Sequence, residues 1–94
     1  MATSLTFSQV DGKYETSDVQ FETDAVLELN FDAIPELTGV QIEIYQSLTK
    51  TGWQLAYNET LRSGLTFCKT LVGVSEKAYY KVVTSVNPTS ASYE

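Results

Sequence analysis

Catalysis and metal binding need side chains that titrate near neutrality, attack as nucleophiles or donate to ions, so the acids and the single thiol come first. Twelve Asp and Glu residues stand against six Lys and Arg, and the chain contains no His. That removes the commonest general base and every Ser-His-Asp or Cys-His arrangement. Cys68 is alone, so neither an intramolecular disulfide nor a tetrahedral zinc site of N and S ligands can be assembled. It reads as a small buried apolar residue.

The remaining candidates are carboxylates, which in pairs can hydrolyse a glycoside and in clusters can bind calcium. Asp11-Gly12 lacks the further ligands of a calcium loop, and Asp18, Glu22 and Asp24 fall on successive polar positions near a strand end. Both patterns are those of solvated surface. The five glycines are well-separated single turns, not a phosphate loop. Asn58-Glu59-Thr60 matches a glycosylation sequon, but without a secretory signal it reads as a chance match. The sequence therefore predicts no catalytic residue, no cofactor and no metal.

The elements that must carry any site are strands. In Ala25-Val26-Leu27-Glu28-Leu29-Asn30-Phe31-Asp32 the apolar residues fall on alternate positions, which puts Ala25, Leu27, Leu29 and Phe31 on one face. Val40, Ile42 and Ile44 repeat the pattern, with Gln41, Glu43 and Tyr45 outward. Thr49-Lys50-Thr51-Gly52 then supplies a hairpin loop, and Trp53, Leu55 and Tyr57 are expected to face inward on the returning strand. Trp53 is expected to anchor the core beside Phe31 and Phe67.

Ser4 to Val10 and the strand from Lys13 form an opening hairpin around Asp11-Gly12. The alternation slips between Tyr14 and Val19-Gln20-Phe21, and one extra residue near Ser17-Asp18, a β-bulge, restores it. Leu65–Val72 and Ala78–Val86 are two further strands joined by a turn at 73–77. The second has apolar residues in both registers, so it is either buried on two sides or packed against something outside the chain. Ala33 to Gly39, which contains Pro35, reads as a linker compatible with one helical turn.

Six or seven such strands without a crossover helix predict an all-β, antiparallel two-sheet β-sandwich of immunoglobulin-like or jelly-roll-like design, with a small barrel as the alternative. One domain is expected over residues 1–88, with 89–94 a loose polar tail beyond Pro88. The formal charge of −6 and the dispersed basic residues disfavour nucleic acid. No stretch is long and apolar enough to span a membrane, and the N-terminus has no secretory signal, so synthesis in a cytoplasm is expected.

With no proton-transfer machinery, work must be done by the surface, and exposed aromatics are its strongest feature. Tyr14, Tyr45 and Tyr79 are the candidates for partner contact. Tyr79 and Tyr80 must point to opposite faces, so one ring is core.

Two stretches carry a resemblance. They are Ser4-Leu5-Thr6-Phe7 with Asp11-Gly12-Lys13-Tyr14 and Val19-Gln20-Phe21, and the closing Ala78-Tyr79-Tyr80-Lys81-Val82-Val83. In element order across most of the chain they resemble the short β-sandwich auxiliary capsid, or head-decoration, proteins of tailed phages of gut Bacteroidota, including crAss-like phages. The resemblance implies a non-enzymatic structural protein of the virion surface, bound to the major capsid protein and in contact with other copies of itself. The alternative is a carbohydrate-binding sandwich, with a glycan as the ligand.

Overall fold

The computed structural model describes residues 3–20, 25–71 and 78–94. Ten strand segments follow one another: β1 (Thr3–Ser4), β2 (Phe7–Val10), β3 (Lys13–Thr16), β4 (Val19–Gln20), β5 (Ala25–Asn30), β6 (Val40–Ser47), β7 (Gln54–Leu61), β8 (Thr66–Leu71), β9 (Tyr79–Thr84) and β10 (Ser90–Tyr93). One sheet has the order β1-β10-β5-β8, and the other β2-β3-β9-β6-β7 with β4 also beside β9. All pairings are antiparallel. The fold is an all-β sandwich, and the described residues contain no helix.

Period-two alternation places the core as the sequence predicts. Leu27 and Leu29 of the first sheet, and Ile42, Ile44 and Val82 of the second, are fully buried in one cluster. Burial of each such side chain contributes about 1.5–3 kcal/mol. The turn at Asp11-Gly12 has positive φ at both residues, 50° and 80°, the geometry that matches the twist of a two-residue hairpin. Around Pro35 the amide of Gly39 donates to the Pro35 carbonyl at 2.8 Å, which closes a single turn. Gly39 then adopts φ +68°, where a Cβ would lie 2.8 Å from the Leu61 carbonyl oxygen. Only glycine fits there.

The expected bulge is present. Glu15 pairs with Val83 but Val19 pairs with Tyr80, so four steps along β3 and β4 answer three along β9. The two segments are thus halves of one bulged strand. The offset is stitched by Thr16, whose buried hydroxyl accepts the Val82 amide at 3.0 Å.

Counted with that strand as one, the described residues form nine strands instead of six or seven. Two additions account for the difference. The opening strand divides at Leu5-Thr6, so that β1 lies on one sheet and β2 on the other. Residues 90–93, expected in a loose tail, form β10 between β1 and β5, with Ala91 buried opposite Leu29. A four-residue strand of Ser, Ala, Ser and Tyr has too little apolar content to register as periodicity, and backbone pairing supplies what the side chains do not. The turn expected at 73–77 lies outside the described residues, as do Phe21, Glu22, Asp24 and Val72.

Candidate functional site

The outer face of the six-segment sheet is built by register. Glu15, Val83, Glu43 and Asn58 form one row across β3, β9, β6 and β7, and Lys81, Tyr45 and Leu55 form the next across β9, β6 and β7. Val10 and Lys13 join from the first hairpin. Trp53 stands just before β7 and is half-buried on this face.

Its position there is a correction. β7 carries a second bulge: Ile44 pairs with Tyr57 but Tyr45 pairs with Leu55, which leaves Ala56 extra. One extra residue reverses the phase of everything before it. Tyr57 remains inward against the core, while Leu55 and Trp53, expected inside, lie outside. The sequence signal was the run Leu55-Ala56-Tyr57, three consecutive apolar residues that no strict alternation accommodates.

Charge pairs organise the face. Lys13 Nζ lies 3.3 Å from Glu43 Oε1, an ion pair that reaches from β3 to β6 over β9. Lys81 Nζ lies 3.8 Å from Glu15 Oε1 and 4.9 Å from the centre of the Trp53 ring. Beneath these groups Val83 is only 7% exposed. The apolar residues in both registers of β9 are thereby explained, because it is a central strand whose outer side is roofed by its own neighbours. Val10 at 42% and Leu55 at 47% remain open to solvent. A shallow groove of about 250 Å³ runs between Val10, Tyr45, Trp53 and Lys81.

Of the three predicted tyrosines, two lie on this side of the sheet. Tyr45 is half-buried in the groove, and its hydroxyl donates to Glu43 at 2.9 Å, a bond that raises its pKa above the ordinary tyrosine value. Tyr79 pairs with Ser47 near the hairpin end, with Lys50 over its ring at 4.8 Å, while its neighbour Tyr80 is buried. Tyr14 departs from expectation: it pairs with the fully buried Thr84 and so points to the inner side, half-buried. Phe7 and Thr16 share that side of the hairpin, and the phase set by the turn leaves Tyr14 no alternative.

Cys68, expected in the core, is exposed on the outer face of the other sheet, paired with Glu28. Phe67 takes the inward position beside it. Asp18 is ion-paired with Lys50 at 3.3 Å, and among the described residues no group of three or more His, Cys, Asp or Glu could hold a metal ion. A second cavity of about 330 Å³ lies under the β6–β7 loop, lined by Gln46, Ser47, Thr49, Gln54 and Tyr80 and bearing no formal charge. No protein-family model matches the chain, and no curated protein or solved structure is significantly similar to it.

Proposed function

We propose that this chain is a non-enzymatic structural and interaction protein, a capsid auxiliary (decoration) protein that docks on the outside of a phage head through the outer face of its six-segment sheet. The observation that carries the docking surface is the groove of Val10, Tyr45 and Trp53 with the neighbouring Leu55, crossed by the Lys13–Glu43 and Lys81–Glu15 pairs that roof Val83. A Trp and a Tyr beside the open apolar side chains of Val10 and Leu55 are residue types enriched at protein interfaces. The lysines that border the patch are engaged by carboxylates of the same face, which favours a protein partner over a polyanion. The resemblance of the two quoted stretches supplies the partner class, the major capsid protein.

Sedimentation with purified heads of the phage that encodes the chain tests this reading. The wild type should pellet with heads at saturating stoichiometry, and Trp53→Ala combined with Leu55→Ser should lose at least about 10-fold in affinity while remaining folded. A wild type that never pellets with heads would sink the proposal.

The alternative, a carbohydrate-binding sandwich, has its own specific support in the uncharged cavity of Gln46, Gln54, Ser47 and Thr49 against Tyr80. Convergent amides and hydroxyls beside an aromatic wall suit a neutral sugar. On the outer face, by contrast, lysines cover a face of the Trp53 and Tyr79 rings, where a sugar would otherwise stack. Micromolar binding on a glycan array, abolished by Gln46→Ala, would select this alternative.

A further inference from the structure

The two sheets end in four outer strands, and among the described residues three of them are guarded. β7 carries the bulge at Ala56 and turns Glu59 inward, opposite the buried Ile42. β8 places Lys69 in the inward register, opposite Leu27. β1 spans only two of the described residues, Thr3–Ser4. Bulges, inward-pointing charges and short length are the devices that stop edge strands from pairing with other chains. β2 has none of them: Thr3 to Val10 contains no charged residue, no Gly and no Pro. Among the described residues, β2 pairs with β3 alone.

The hairpin determines which groups that edge offers. With a two-residue turn at Asp11-Gly12, Val10 and Lys13 form the hydrogen-bonded pair that flanks it. Alternation then sends the N–H and C=O of Ser8 toward β3, and those of Phe7 and Gln9 outward.

We infer that a second copy of this chain pairs antiparallel along β2, with Ser8 opposite the partner's Ser8. In this register Phe7 faces the partner's Gln9 and Gln9 the partner's Phe7, so every outward group of both edges finds a mate in four hydrogen bonds. A second copy supplies a strand of matching length and phase. The edge is also the place where two chains of charge −6 can meet without opposing like charges. The two-fold axis stands perpendicular to the sheet, so both outer faces, each with its Trp53, point the same way. The product is a bivalent platform suited to a repetitive surface. The pairing follows from the edge alone and stands apart from the proposed function.

Cross-linking and mass measurement test it in a Cys68→Ser background. Opposed residues of a non-hydrogen-bonded pair lie about 4.5 Å apart at Cα, within disulfide reach. Ser8→Cys should therefore form a covalent dimer on mild oxidation. Val10→Cys should not, because it stands roughly 14 Å from its equivalent. Gln9→Pro removes one outward N–H without touching the β2–β3 ladder, and it should weaken dimerisation at least about 10-fold with an unchanged circular dichroism spectrum. A wild type that stays monomeric to about 1 mM in sedimentation equilibrium overturns the inference, and an extended segment of another protein then becomes the occupant of the edge. A dimer that ignores Gln9→Pro, or that cross-links equally at positions 8 and 10, overturns it as well.

Discussion

Lys81 holds its ammonium 4.9 Å from the centre of the Trp53 ring, on the outside of the sandwich and not within it. The contact joins the central strand β9 to the residue that precedes edge strand β7, and Glu15 anchors the same ammonium from the other side at 3.8 Å. A large aromatic that alternation assigns to the core is thereby kept at the surface.

Trp53→Ala should therefore cost less than about 1.5 kcal/mol of stability, far below the roughly 3–5 kcal/mol of a buried aromatic. Leu29→Ala, at a site with 0% exposure, should cost about 2–5 kcal/mol. Urea denaturation followed by far-ultraviolet circular dichroism ranks the two, and a Trp53 variant as costly as Leu29→Ala would place the ring in the core after all.

Thr16 is the cost-free repair of a bulge, since its hydroxyl takes the Val82 amide that the offset leaves without a ladder partner. Thr16→Val keeps the shape and strands a buried N–H, so a loss of about 1–3 kcal/mol is expected. Thr16→Ser should recover most of it. Hydrogen exchange at the Val82 amide gives a local readout, with faster exchange in the Val variant only.

Tyr45 and Tyr57 each donate a hydrogen bond to a carboxylate, Glu43 and Glu59, and these bonds raise both pKa values above the ordinary 10.0. A tyrosine whose folded pKa exceeds its unfolded one keeps its contribution to stability below about pH 10, and loses it as pH climbs through the folded value, because the unfolded chain releases its proton first. Alkaline difference spectroscopy should show a late-titrating component. Glu43→Gln should move the Tyr45 share of it toward the ordinary range, and a titration unchanged by that substitution would contradict the bond.

Truncation after Pro88 should remove far more than a tail. It takes away β10, the strand that β1 and β5 both pair with, and with it the partners of Leu5 and Val26, which bond to Ala91 and Glu94. The shortened chain is expected to lose its cooperative thermal transition. Full retention of the melting temperature would show that β10 does not hold the first sheet together.

Much of this architecture was legible because the core strands alternate cleanly. Ala25 to Phe31 and Val40 to Ile44 carry an apolar residue at each inward position, and one-sided burial leaves them a single admissible register. The Asp11-Gly12 hairpin and the slip near Ser17-Asp18 were readable for a related reason, since turn chemistry and broken phase are both local. The outer face of the six-segment sheet was legible only in part. Alternation put Tyr45 outward but left open which of Tyr79 and Tyr80 is core. Trp53 and Leu55 were expected inside, Lys81 carried no signal, and Tyr14, expected as an exposed aromatic, turns to the inner side.

By itself the sequence determined that this chain folds as antiparallel strands around an aliphatic core, and that it holds no histidine to move protons. Tertiary structure decided which way the ambiguous residues face. Leu55-Ala56-Tyr57 and Phe67-Cys68 put apolar side chains on both sides of a strand, and only the partner strand settles where the extra residue bulges and which neighbour goes inside. The same holds for Ser90–Tyr93, whose place between two strands comes from main-chain hydrogen bonds, to which side-chain patterning is blind.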